Sequence, residues 1–183
     1  DLGLHEPAED LDLDGGAVRV LANAALPRGG AWSRDDTILF VPQTGPIFRV
    51  PATGGQPTAV TRLEPRQSSH NTPRFLDGEH FVYYVTGSPE IRGVYVAALD
   101  GSVGRRLVDA DSIAVETSSG YLLFVRSGTL LAQRLDPARL EMKGSPLAVA
   151  ESIGLQPLTV FQAASISASA AGRIIYRGGS TLV

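Results

Sequence analysis

The residues able to do chemistry in this chain are few and scattered. There are 3 histidines (His5, His70 and His80) and no cysteine. The missing thiols exclude a disulfide framework and a thiolate metal site. Histidine catalysis needs an imidazole beside a nucleophile, with a carboxylate to orient it. Ser68-Ser69-His70 puts hydroxyls next to a ring, but no Gly-x-Ser-x-Gly elbow accompanies it. His80 adjoins an apolar run and reads as packed or turn-exposed. Two scattered histidines without a third ligand do not make a zinc site. The expectation is therefore no catalytic residue, no metal and no cofactor.

The acidic group Glu6, Glu9, Asp10, Asp12 and Asp14 invites a calcium-loop reading. However, Leu11 and Leu13 alternate with the aspartates as in a half-exposed strand. The glycine and the closing glutamate of an EF-hand loop are also missing, so a solvated strand or arm is favoured. The polar residues Arg28, His70, Asn71 and Arg74 are the candidates for binding. Trp32, Phe75, Phe124 and Tyr176 suggest sugar stacking at first, but their spacing places them in the core. Arg105-Arg106 reads as a solvated basic pair.

These residues need a scaffold, and composition bounds it. The chain has 183 residues, 43% hydrophobic and 19% charged. That balance is globular and sufficient for one real core. The 20 Gly and 12 Pro fit many short strands joined by tight turns. Lys+Arg total 16 against Asp+Glu 19, for a net charge of -3. With no dense basic run, a nucleic-acid surface is not expected. The uncharged run Ser152 to Gly172 is long enough to span a bilayer. Its Gln156, Pro157, Thr159, Gln162 and serines argue instead for a loop plus a buried strand, without membrane insertion.

The chain then repeats. Trp32, the turn Ser33 to Asp36, and the apolar run Thr37-Ile38-Leu39-Phe40-Val41 are followed by Thr44-Gly45-Pro46, Ile47 to Val50 and Gly54-Gly55. The order returns with Phe75, Asp77-Gly78, Phe81 to Val85, Val94 to Ala97 and Asp100-Gly101. It returns again with Ser119-Gly120, Tyr121 to Val125 and Leu130 to Gln133. A fourth copy begins near Phe161, with Ala171-Gly172 and Ile174 to Tyr176. Phe40 to Tyr83 is 43 residues, Tyr83 to Phe124 is 41 and Phe124 to Tyr176 is 52. Four short strands per 40–45 residues is the spacing of β-propeller blades. A blade is covered by neighbours on both faces, which explains second strands that are apolar along their whole length.

The expected fold is all-β: a propeller of four-stranded antiparallel blades, about three complete and partial ones at each end. The blades are placed at 28–61, 70–109 and 111–150, with partial blades at 1–22 and 160–183. Such a ring is incomplete, so the expectation is a fragment of a longer protein or self-association to complete the ring.

The run Trp32-Ser33-Arg34-Asp35-Asp36-Thr37-Ile38-Leu39-Phe40 resembles the WD-repeat-like blades of TolB-type propellers. In that family the turn after the acidic residue is normally Gly, where Asp36 stands here. The second copy, Phe75-Leu76-Asp77-Gly78-Glu79-His80-Phe81-Val82-Tyr83, keeps Asp-Gly. From Arg28 to about Gly178 the chain is similar to the propeller region of acidobacterial-type serine/threonine kinases. Its own sequence has no phosphate loop, His-Arg-Asp or Asp-Phe-Gly. The resemblance implies a non-catalytic sensory region, attached to a membrane-anchored kinase and lying outside the cytoplasmic membrane.

The functional expectation is a binding module, not an enzyme, that takes a protein or small ligand at the channel rim through Arg28, His70, Asn71 and Arg74. For those residues an alternative is hydrogen bonding between adjacent blades. A second functional reading is the propeller that gates a prolyl-oligopeptidase-type hydrolase.

Overall fold

The computed structural model describes residues 7–10, 18–25, 27–154, 166–169 and 171–178. All regular structure among them is β-strand. Of the acidic group, Glu9 and Asp10 lie in a strand, while Glu6, Asp12 and Asp14, with most of the Ser152 to Gly172 run, lie outside these residues. No helix among the described residues is long and apolar enough to cross a membrane.

Three four-stranded antiparallel sheets follow one another along the chain. The first holds β3 (Gly30–Trp32), β4 (Thr37–Phe40), β5 (Phe48–Pro51) and β6 (Thr58–Ala59). The second holds β7 (Gln67–Phe75), β8 (His80–Gly87), β9 (Gly93–Ala98) and β10 (Arg105–Val108). The third holds β11 (Val115–Glu116), β12 (Tyr121–Arg126), β13 (Thr129–Asp136) and β14 (Glu141–Ala150). Each sheet is an up-and-down meander in sequence order. Two-stranded sheets flank them: β1 (Pro7–Asp10) with β2 (Arg19–Asn23), and β15 (Ile166–Ala168) with β16 (Ile174–Tyr176). This is a partial β-propeller, as the repeat spacing predicts.

The core lies between the blades, and the second strands show why. Leu39 and Val41 pack with Phe81, Tyr83 and Val85 between the first and second sheets. The intervening Phe40 faces the other way, onto Ala22 and Ala24 of the N-terminal hairpin. In β8, Val82 turns to Leu122 and Phe124 of the third sheet. Leu123 and Val125 then turn to Ile166 and Ile174. Strand alternation sends neighbouring residues to opposite faces, and here both faces are interfaces. Phe81, Leu122 and Phe124 are fully buried, each worth about 1.5–3 kcal/mol relative to exposure.

One turn recurs between first and second strands. Thr37 N–H donates to Ser33 Oγ at 3.1 Å, Tyr121 N–H to Thr117 Oγ1 at 3.1 Å, and Arg173 N–H to Ser169 Oγ at 3.0 Å. Three residues on, the backbone turns left-handed: φ is 55° at Asp36 and 78° at both Gly120 and Gly172. Asp36 thus occupies the left-handed position that glycine fills in the other copies. The second sheet uses a variant. There Asp77 Oδ1 accepts from Glu79 N–H at 2.7 Å and His80 N–H at 2.6 Å.

Two expectations about core aromatics fail. Phe124 is buried, but Trp32 is 52% exposed and Tyr176 44%. Tyr176 lies on the terminal hairpin, which has a neighbouring sheet on one side only among the described residues. Trp32 sits on an innermost strand, beyond the reach of the interblade packing. The basic pair is also not merely solvated. Arg105 Nη2 donates to Leu140 O of the third sheet at 2.6 Å. Arg106 donates to the carbonyls of Glu90 and Arg92 and to Asp109.

Candidate functional site

The first strand of each sheet lies at the same edge, and β3 and β7 stand side by side. The four residues singled out for binding divide there. Arg28, His70 and Asn71 are buried between blades, while Arg74 is exposed.

The buried three form a polar joint. His70 N–H donates to Gly45 O at 2.9 Å, and Gly45 N–H returns to Ser69 Oγ at 3.3 Å. Thr72 N–H donates to Arg28 O at 2.8 Å. Asn71 Nδ2 reaches the carbonyls of Ser69 and Tyr84 at 3.3 and 3.4 Å. His70 Nε2 lies 2.9 Å from Gln67 Oε1, and Nδ1 lies 2.8 Å from Thr61 Oγ1. Burial lowers the His70 pKa to about 4, so the ring is neutral near pH 7. Because Gln67 Oε1 only accepts, Nε2 carries the proton and Thr61 donates to Nδ1. Thr61 Oγ1 also accepts from Ile47 N–H at 2.8 Å. The ring packs on Tyr83, with centroids 4.8 Å apart. His70 thus bonds to Gly45 and Thr61 of the preceding blade, whereas the Asn71 side chain bonds to Ser69 and Tyr84 of its own sheet.

His80 is also occupied, with Nδ1 3.0 Å from Asp77 Oδ2. Desolvation works to raise the Asp77 pKa, but backbone hydrogen bonds from His80 and Glu79, with the His80 ring, outweigh it, and the net is lowered. No group of three or more His, Asp or Glu side chains suited to a metal occurs among the described residues.

Arg74 opens onto a different place. A recess of about 370 Å³ is lined by Trp32 and its strand neighbours in β3, by Arg74 and Phe75 in β7, and by Val115 and Glu116 in β11. Trp32 and Phe75 are also walls of an adjoining cleft of about 580 Å³, bounded by the first turns of two blades. The indole is held by its Nε1, which donates to Asp36 Oδ1 at 3.2 Å. Phe75 is braced edge-on by Phe81, with centroids 6.5 Å apart. Neither the Arg74 nor the Glu116 side chain has a hydrogen-bond or ion-pair partner among the described residues. Desolvation raises the Glu116 pKa.

Glu116 was not singled out from sequence, and Trp32 was placed in the core. Repeat register is the signal that could have found both. Trp32 precedes Ser33, Phe75 precedes Leu76, and Glu116 precedes Thr117. These three turn residues each donate N–H to the carbonyl four residues on, so the preceding residues are equivalent positions in three blades.

No protein-family model matches the chain, and no curated protein matches it in sequence. Solved structures do share its fold. Regucalcin, a calcium-binding protein from Agrobacterium tumefaciens, superposes with a TM-score of 0.65 at 19% identity, over 94% of this chain and 60% of its own. An oligogalacturonate lyase solved with manganese gives 0.43 at 11% identity, over 95% of this chain and 65% of its own. The chain therefore spans less than two thirds of either structure.

The expectation that the chain is not an enzyme does not stand, because a propeller fold shared with solved structures does not by itself exclude catalysis. That expectation rested on missing linear motifs. A propeller assembles its central site from single residues of separate blades, as the recess assembles Trp32, Arg74 and Glu116. No contiguous motif records such a site, so its absence does not argue against catalysis.

Proposed function

We propose that this chain forms the greater part of a ligand-binding propeller, and that the recess at the inner edges of β3, β7 and β11 holds a small ligand. One observation carries the reading. Three consecutive blades place Trp32, Phe75 and Glu116 at one repeat position around a single recess, with Arg74 beside them. Packing alone does not require an exposed indole, an exposed guanidinium and an exposed carboxylate to converge. Such convergence in a concave site is what recognition uses.

The likeness of residues 28–178 to kinase-associated propellers supports a further placement. In it the propeller is the ligand-sensing or protein-docking region of a larger bacterial protein, on the extracytoplasmic side of the membrane. The coding sequence upstream tests that placement, and an attached domain other than a kinase would refute it.

The recess itself is testable directly. Trp32 is the only tryptophan of the chain, so its emission reports occupancy without a label. A screen of small polar and amphipathic molecules should find saturable changes that Arg74→Gln weakens. Binding unaffected by Arg74→Gln and silent in Trp32 emission would place the ligand elsewhere.

A further inference from the structure

The chemistry of the recess narrows what it takes, given that the recess is the binding site. We propose that its ligand is a small amphoteric carboxylate with a flat apolar face, a phenylalanine-like zwitterion. The carboxylate meets Arg74, the ammonium meets Glu116, and the flat face lies on Trp32.

Each simpler ligand leaves something unpaired. A plain anion suits Arg74 but brings its charge toward the Glu116 carboxylate in the same recess. A plain cation reverses the problem. A neutral flat molecule covers the indole but strips water from two ionic groups and returns nothing, which is costly. A ligand with both charges answers both groups at once. Arg74 offers a planar fork of donors that matches a carboxylate in two parallel hydrogen bonds. The exposed Glu116 carboxylate has no hydrogen-bond or ion-pair partner among the described residues, so an incoming ammonium meets a charge that nothing else answers. The indole keeps its polar atom on Asp36 and has an exposed apolar surface for a ring. A recess of about 370 Å³ has the size for an amino acid or a dipeptide.

Four probes test this through Trp32 emission. Phenylalanine carries all three features. Phenylalaninamide lacks the carboxylate, 3-phenylpropionate lacks the ammonium, and alanine lacks the ring. Phenylalanine should give a saturable change, and each other probe should bind about tenfold more weakly or worse, as for loss of one charge-assisted bond or the apolar contact. Arg74→Gln should erase the preference over phenylalaninamide, and Glu116→Gln the preference over 3-phenylpropionate. Both positions are exposed, and an unchanged urea midpoint confirms that the variants fold. Equal binding of phenylalanine and either single-charge probe overturns the zwitterion while leaving the recess as the binding site. No response to phenylalanine also overturns it, and the broader screen then decides whether the recess binds anything.

Discussion

His70 is a buried imidazole held neutral by its surroundings. Its pKa falls from the ordinary 6.5 to about 4. Between those values the unfolded chain binds a proton that the folded chain does not. Stability from this group is therefore full above pH 6.5 and declines as pH falls toward 4. A separation this large is worth about 3 kcal/mol. Urea unfolding at pH 4 and pH 7 should show the wild type losing about that much more than His70→Gln. Parallel losses would mean that the ring protonates in place. The residue was visible in sequence as polar and at a blade junction. Two of its partners were not, because Thr61 and Gly45 reach it only when two blades dock, whereas Gln67 is three residues back on its own strand.

At the scale of elements, the hairpin between first and second strands is the recurrent device. In three copies a hydroxyl caps the turn and a left-handed residue closes it, and in the second sheet the Asp77 carboxylate caps a variant turn. In the third sheet Thr117 also sets the position of Glu116 directly before it. Thr117→Val keeps the shape but leaves Tyr121 N–H without its acceptor. The expected cost is about 1–3 kcal/mol, read as a lower urea midpoint. An unchanged midpoint would show that water replaces the hydroxyl. The turns were legible as Asp-Gly and Ser-Gly pairs, and Asp36 was legible as standing at a glycine position. That Trp32 lies outside the packed layer was not legible. Aromatic residues at equivalent positions look alike in a sequence, whether the strand beside them is covered or faces a channel.

For the molecule as a whole, the flanking hairpins expose apolar side chains. Val20 is 57% exposed, and Ile175 is 73% exposed. In the middle of the chain the corresponding faces are covered by the next blade. The 183-residue chain in isolation should therefore self-associate through its terminal sheets, since faces of this kind seek cover. Sedimentation should give a mass above 19.3 kDa, and Ile175→Lys should shift the population toward monomer. A concentration-independent mass of 19.3 kDa would overturn this.

The amino-acid sequence by itself determined the blade. Strand alternation is local, and a second strand such as Phe81 to Val85, apolar at every position, has no stable solution but burial on both faces. Repetition of that strand at blade spacing then leaves a propeller as the arrangement that covers every copy. What only the tertiary structure decided is which side chains are left over. Arg28, His70 and Asn71 were candidates both for binding and for interblade bonding, and all three are buried, His70 against the preceding blade and Asn71 within its own sheet. Arg74, Trp32 and Glu116 come from three strands far apart in the chain and converge on one recess. The reason is geometric. Burial follows from each strand's own pattern, whereas a site at the inner edges depends on how successive sheets are set beside one another, and no single blade encodes that.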